Sequence, residues 1–146
     1  MTGATSTRST PSVRGGAPVT DGGRVVIRRS ADAVEVAEPS NELTLRSLLR
    51  TDDSAADLSI TQVRLAGHHR RLVTEASERI YVTLEGGGTI TTGDDAPVPL
   101  ADGDVVVIPR GVPYHLDGPL TYLVMNVPGF REGDDHYLEH PAEGTD

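Results

Sequence analysis

The sequence contains no cysteine and no lysine among its 146 residues. Without cysteine the chain has no disulfide, no thiolate nucleophile and no zinc site built on thiolates. Because all 13 basic residues are arginine, a lysine Schiff base with a carbonyl substrate or with pyridoxal phosphate cannot form. The chemistry that remains is that of carboxylates, imidazoles, phenols, hydroxyls and guanidinium groups.

Long apolar runs and an excess of positive charge are also missing. No stretch of about 18 apolar residues and no apolar signal core are present, so we predict neither a membrane span nor a secretory signal, and we expect a cytoplasmic protein. The net charge of −9 argues against nucleic acid, whose binding needs a basic face. Four tyrosines and one phenylalanine are too few to favour a stacking site for sugars or bases.

The composition divides the chain into three parts. Its length is that of one domain. Residues 1–23 are mostly Thr, Ser, Gly and Pro, which cannot bury enough surface to offset conformational entropy, so we predict a disordered tail. Residues 131–146 carry six carboxylates against one arginine and are typical of a solvated acidic tail, in which His136, Tyr137 and His140 would lie on the surface. The folded domain would then span residues 24–130.

Short β-branched or alternating stretches separated by Gly and Pro turns predict an all-β sandwich or barrel. Residues 42–50 fit either a helix or a strand. Along residues 58–66 the alternation predicts Thr61, Val63 and Leu65 on one face and Gln62 on the other. Residues 104–108 do not alternate and should be covered on both faces. The other predicted strands are residues 24–28, 33–37, 71–75, 78–85, 89–92 and 120–127.

Two stretches framed by glycine carry the main functional information. The first, GHHRRLVTEASERIYVTLEG, runs from Gly67 to Gly86, and the second, GDVVVIPRGVPY, runs from Gly103 to Tyr114. Their spacing resembles the two motifs of the cupin superfamily, G-x5-H-x-H-x3/4-E-x6-G and G-x5-P-x-G-x2-H-x3-N. The resemblance covers roughly residues 40–130. It implies a double-stranded β-helix, or jelly-roll barrel, and a strand over residues 42–50.

Cupins usually hold a divalent metal with three histidines and one glutamate, and the resemblance assigns these positions to Val73, Glu75, Arg79 and Tyr114. Because Val73 has no donor atom and Arg79 brings a positive charge, we expect no metal cofactor there. The adjacent His68 and His69 should point to opposite faces of a strand. A metal-dependent alternative needs bulges that turn displaced ligands inward. Those ligands would be His69, Glu75, Glu78 and His115.

Without a metal, the same residues predict proton transfer. A hairpin at residues 76–77 would bring Glu75 to Arg79, with Glu75 as the base, Tyr114 as the acid and Arg79 orienting a substrate carboxylate or enolate. An equally open interpretation is that Glu75 and Arg79 form an ion pair without a catalytic role. The predicted substrate contacts are Gln62, Tyr81, His115, Tyr122 and Asn126.

These observations leave three kinds of function open. The first is a small cofactor-free enzyme, an isomerase, cyclase, dehydratase or lyase, acting on an acidic or carbonyl-bearing metabolite. The second is a barrel that binds a small molecule without reaction, and the third is a metal-dependent cupin with displaced ligands. Because cupins usually pair through sheet edges and residues 25–27 would form an apolar edge, we also expect a homodimer.

Overall fold

The computed structural model describes residues 25–141, and predictions for residues 1–23 and 142–146 lie outside this range. The described chain contains eleven strands and two short 3-10 helices, at Ser30–Asp32 and Pro39–Asn41, and no helix that could cross a membrane. The strands are β1 Glu35–Glu38, β2 Leu43–Leu49, β3 Ser59–Leu65, β4 His68–Thr74, β5 Glu78–Glu85, β6 Thr89–Thr92, β7 Val98–Pro99, β8 Val105–Ile108, β9 Tyr114–Asp117, β10 Leu120–Val127 and β11 Asp135–Tyr137.

The strands form two antiparallel sheets. Six strands lie in the order β1-β2-β3-β10-β5-β8, and the other five in the order β11-β4-β9-β6-β7. The predicted all-β jelly-roll barrel is therefore confirmed, including the strand over residues 42–50, where the choice between helix and strand was open. The core lies between the sheets, and Val63 and Leu65 of β3 point into it as their alternation predicts.

Two local predictions are wrong. Residues 25–28 form no strand, and Val25 and Ile27 are exposed; a homodimer through this segment remains a prediction. Strand β8 was expected to be covered on both faces, but Val105 and Val107 are 60% and 53% exposed. Val105 and Val107 lie on the face of β8 that is turned away from the core, whereas Ile108 on the opposite face is buried.

The acidic segment after residue 130 contributes a strand that the sequence did not predict. Strand β11 pairs antiparallel with β4, and Asp135 lies opposite Thr74. The backbone N–H of Leu138 then donates to the carbonyl of Arg71 at 2.8 Å. This pairing brings Asp135 and Tyr137 to the barrel, where an exposed tail was expected.

Gly88 marks a close approach of two backbone segments. A Cβ atom there would collide with the carbonyl of Asp117 and lie 2.8 Å from Cγ of Leu120. We expect Gly88→Ala to lower the free energy of unfolding by about 1–3 kcal/mol, as overpacking typically does. Urea unfolding measures this, with Thr89→Ala as a neighbouring control that adds no atom. An unchanged midpoint for Gly88→Ala would contradict the close packing.

Candidate active site in the barrel cavity

A cavity of about 280 Å³ lies between the two sheets. Strands β2, β3, β5 and β10 supply one wall, and β4 and β11 supply the other. Its lining combines aliphatic and aromatic side chains with polar and charged groups that could fix the orientation of a small molecule. The lining residues are Glu38, Leu43, Leu45, Ser47, Thr61, Val63, His69, Arg79, Tyr81, Tyr122, Val124, Asn126, Phe130, Asp135 and Tyr137.

Arg79 is a buried cation at the centre of a polar network. It lies on the inward face of β5 with Tyr81, and the β5–β10 register places it opposite Asn126. Its Nη2 forms an ion pair with Asp135. Its Nη1 donates to the hydroxyl of Tyr114 at 3.2 Å. With its amide oxygen turned to the guanidinium, Asn126 accepts from Nε and Nη2 at 3.1 Å each.

Charge compensation keeps this cation stable in the protein interior. Burial opposes the charge, but the oxygens of Tyr114, Tyr81 and Asp135 outweigh it and raise the pKa of Arg79. Most of its N–H donors already have partners. The predicted capture of a substrate carboxylate by Arg79 is therefore not favoured, and the residue instead holds Tyr114 and Asp135 in place.

Two phenols continue the network toward the cavity. The hydroxyls of Tyr81 and Tyr114 are 2.5 Å apart, and the Tyr114 oxygen already accepts from Arg79. Tyr114 is fully buried and does not line the cavity, so its own proton is satisfied only if it donates to Tyr81. This leaves the Tyr81 proton free to donate to a bound molecule. Burial raises the pKa of both phenols, so both are neutral and can donate.

His69 supplies an imidazole to the opposite wall. It is 8% exposed, and its Nδ1 lies 3.0 Å from the carbonyl of Arg70, which makes Nδ1 the protonated nitrogen. Burial lowers the pKa of His69, so the ring is neutral and Nε2 carries a lone pair. Among the described residues Nε2 has no hydrogen-bond partner, and the ring lines the cavity. It is the basic atom best placed to contact a ligand.

Tyr137 from β11 forms the wall beside His69. The planes of the two rings are tilted by 28°, with centroids 6.2 Å apart, and the Arg70 guanidinium lies 3.9 Å from the Tyr137 ring centre. Asn41 donates to the Tyr137 hydroxyl at 3.0 Å and to the Glu38 carboxylate at 2.5 Å. Burial raises the pKa of Tyr137 to about 12. Tyr137 is 36% exposed, as its predicted surface position requires, but the pairing of β11 also makes it part of the cavity lining.

The structure separates several residues that the sequence analysis brought together. The predicted Glu75–Arg79 pair is wrong, since Glu75 is exposed and Asp135 is the carboxylate partner of Arg79. Gln62 lies on the outward face of β3 and accepts from Ser30 at 2.7 Å. His115 likewise points outward from β9. Tyr81, Tyr122 and Asn126 do line the cavity.

A register shift explains why the metal positions are displaced. The β4–β9 pairing is irregular between His69 and Leu72. As a result His69, Leu72 and Thr74 are buried, whereas Val73 is half-buried and Glu75 is exposed. The irregularity turns His69 inward, as one part of the displaced-ligand alternative requires. His115, however, still points outward from β9. Glu78 is exposed as well, near the outer cleft formed by Pro109 and Arg110.

The cavity residues do not fit the divalent metal that cupins usually hold. Val73 has no donor atom, the guanidinium of Arg79 is positive, and the Tyr114 hydroxyl is engaged by Arg79 and Tyr81. The one carboxylate near these positions, Asp135, is paired with Arg79. Glu38, the other carboxylate of the lining, accepts from Asn41, and His69 is the one imidazole among the lining residues, which does not make a metal site.

Sequence reasoning missed Asp135 and Tyr137 and considered His69 only as a displaced metal ligand. The alternation of Asp135 and Tyr137 around His136 is a possible strand signal, but three residues in an acidic segment are too few to predict pairing. The inward position of His69 depends on an irregularity whose place no residue pattern marks. The pairing of β11 and the inward position of His69 are therefore visible only in the tertiary structure.

The fold and this cavity define the class of structure to which the chain is similar, the cupin-like β-barrels. No protein-family model matches the sequence, and a comparison with curated proteins finds no match. Among solved structures, the nucleoside dehydratase Pac13 of Streptomyces matches with a TM-score of 0.69 at 15% identity, covering 81% of this chain and 94% of Pac13. The polyketide cyclase RemF from Streptomyces resistomycificus gives 0.67 at 23% identity, covering 81% and 88%. Ectoine synthase from P. lautus gives 0.66 at 16%, covering 84% and 96%.

Proposed function

We propose that this chain is a small cupin-fold enzyme that needs no metal in its cavity and moves a proton beside a carbonyl group. Within the classes of isomerase, cyclase, dehydratase and lyase, we favour a dehydratase that removes water from a β-hydroxy carbonyl metabolite. The observation that carries the proposal is the neutral His69, whose Nε2 is free at a cavity that also receives the hydroxyl proton of Tyr81.

The cavity offers the two groups that such an elimination needs. Nε2 of His69 removes the proton next to the carbonyl, and Tyr81 donates a hydrogen bond to the oxygen as enolate charge develops. The C–O bond at the β carbon then breaks as the C=C bond forms. The imidazolium of His69 returns its proton to the departing hydroxyl, which leaves as water. Arg79 and Tyr114 act through Tyr81 by fixing the direction of its proton.

The similarity to Pac13 supports dehydration among these classes. Solved structures of Pac13 with uridine carry substitutions at one histidine and two tyrosines, the first tyrosine 13 positions after the histidine and the second 34 positions further on. Here Tyr81 follows His69 by 12 positions, and Tyr114 follows Tyr81 by 33. The same residue types in the same order, at nearly the same spacing, favour related chemistry.

The charges of the cavity favour a neutral ligand over an acidic one. Arg79 is compensated by Asp135, and the other carboxylate at the wall is Glu38. A substrate carboxylate would meet this negative charge without a free cation inside the cavity. Uridine, which is present in the structures of three substituted Pac13 proteins, is therefore a suitable neutral probe for binding here.

The proposal is tested by proton NMR in D₂O with untagged protein. Neutral β-hydroxy aldehydes and ketones are incubated with the protein, and β-hydroxy acids serve as the acidic comparison. We expect loss of the signal from the C–H beside the carbonyl, followed by an alkene signal, with chelator present. Binding without exchange would favour the non-catalytic binding barrel. Exchange that requires added metal would favour the metal-dependent alternative.

Removing the Tyr81 hydroxyl should slow the reaction while leaving the barrel intact. We expect Tyr81→Phe to lower the exchange rate by about 100- to 1000-fold, the usual cost of one donor to a developing oxyanion. The exchange rate is measured by proton NMR in D₂O, and the affinity for uridine or substrate is measured by calorimetry. Tyr137→Phe is the matched control at the cavity wall. An equal loss in both variants would contradict the role of Tyr81.

A further inference from the structure

The outer face of the five-stranded sheet carries a second group of chemically active side chains. His68 on β4 and His115 and Asp117 on β9 point away from the core, and the register places His68 opposite Asp117. One nitrogen or oxygen of each residue lies within 4.8 Å of the others. In residues 25–141 this is the one group of His, Asp or Glu side chains with such spacing.

In this outer-face cluster, formed by His68, His115 and Asp117, the donor atoms point toward one another. Nδ1 of His68 lies 2.8 Å from Oδ1 of Asp117, and Nε2 of His115 lies 3.4 Å from Oδ2 of the same carboxylate. The imidazole rings are tilted by 57°, with centroids 5.2 Å apart. A tetrahedral zinc ion sits about 2.0–2.2 Å from nitrogen and oxygen ligands. The three donor atoms, all within 4.8 Å of one another, are close enough to share one such ion.

A second carboxylate already orients His68. Nε2 of His68 lies 3.0 and 3.1 Å from the two oxygens of Glu139, and Glu139 is fixed by the backbone N–H of Arg71. Metal-binding histidines usually donate their other N–H to a carboxylate in this way. The arrangement leaves Nδ1 of His68 as the nitrogen for an ion.

We propose that His68, His115 and Asp117 bind one zinc ion on the outer face of the barrel, with Glu139 orienting His68 and a fourth position open to water. Two imidazoles and one carboxylate are ligands that zinc prefers. The site is separate from the cavity, because His69 and Tyr114, the strand neighbours of His68 and His115, point inward. A zinc ion at this site would link β4 to β9 directly, and through Glu139 to the segment after β11.

Metal titration of the full untagged chain tests the proposal. After chelator treatment, addition of zinc and dialysis, we expect mass spectrometry to find one zinc ion per chain. When cobalt replaces zinc, we expect the visible absorption spectrum of a four-coordinate cobalt ion. His115→Gln should weaken binding by at least about 100-fold, and Glu139→Gln by about 10- to 100-fold. His136→Gln, at an exposed position on β11, is the matched control and should change nothing.

Several results would overturn the outer-face site. These are the absence of zinc at saturating concentration, affinity unchanged in His115→Gln, or affinity lost in His136→Gln; the cluster would then be only a hydrogen-bonded surface network. If His115→Gln does not fold, the wild-type protein still decides. Cobalt must then shift or broaden the imidazole NMR signals of His68 and His115 much more than those of His136, and equal effects would refute the site.

Discussion

Replacing His69 by glutamine should abolish most of the proton-transfer activity, lowering the exchange rate by about 100- to 10,000-fold, the usual contribution of a general base. Glutamine is a polar side chain of similar length, but its amide has no basic lone pair to replace that of Nε2. The barrel and its ligand affinity should therefore persist while the reaction stops. Exchange in D₂O and calorimetry with the same ligand separate the two effects.

The control for this substitution is His136→Gln. His136 is exposed on β11 and directed away from the cavity, so its replacement removes an imidazole without touching the site. A His69→Gln protein that exchanges protons as fast as the wild type would exclude His69 as the base. A protein that loses ligand binding to the same extent as activity would favour the binding barrel instead.

Replacing Asp135 by asparagine should cause the largest loss of stability. Arg79 is 5% exposed and its charge is paired with Asp135. Breaking a buried pair from one side leaves an uncompensated charge, which costs about 3–5 kcal/mol. This is a large share of the roughly 5–15 kcal/mol by which domains are stable. Urea unfolding with circular dichroism measures the change.

A double variant tests the cause of that loss. With Arg79→Met added to Asp135→Asn, no buried charge remains, so we expect much of the stability to return. Glu132→Gln, at an exposed carboxylate in the same segment, should change the free energy of unfolding by no more than about 0.5 kcal/mol. A single Asp135→Asn variant as stable as Glu132→Gln would show that the pair does not hold β11 to the barrel.

The comparison between sequence and structure is most instructive at the first motif. Its glycine spacing and the β-branched stretches correctly predicted an all-β jelly roll, because turns and alternation are local properties. The inward positions on β4 were predicted one residue out of register, whereas Arg79 on β5 was placed correctly. A strand with period two reverses every side chain when its pairing shifts by one residue. Leu72 and Thr74, rather than Val73 and Glu75, therefore face the core.

The sequence by itself determined the fold class, the available chemistry and the replacement of the usual metal-ligand residues. No lysine or cysteine is present, and valine and arginine stand at ligand positions of the cupin frame. The sequence also determines that Arg79 and Tyr81, two positions apart on a strand, share one face, since alternation needs no tertiary information.

Only the tertiary structure decided which groups meet in the cavity. Asp135 reaches Arg79 across 56 positions of chain because β11 joins β4, and His69 turns inward because the β4–β9 pairing is irregular. His68 and Asp117 lie side by side on the outer face because the register of β4 and β9 pairs them. Pairing across long separations depends on the whole packed core, and no local pattern of residues specifies it.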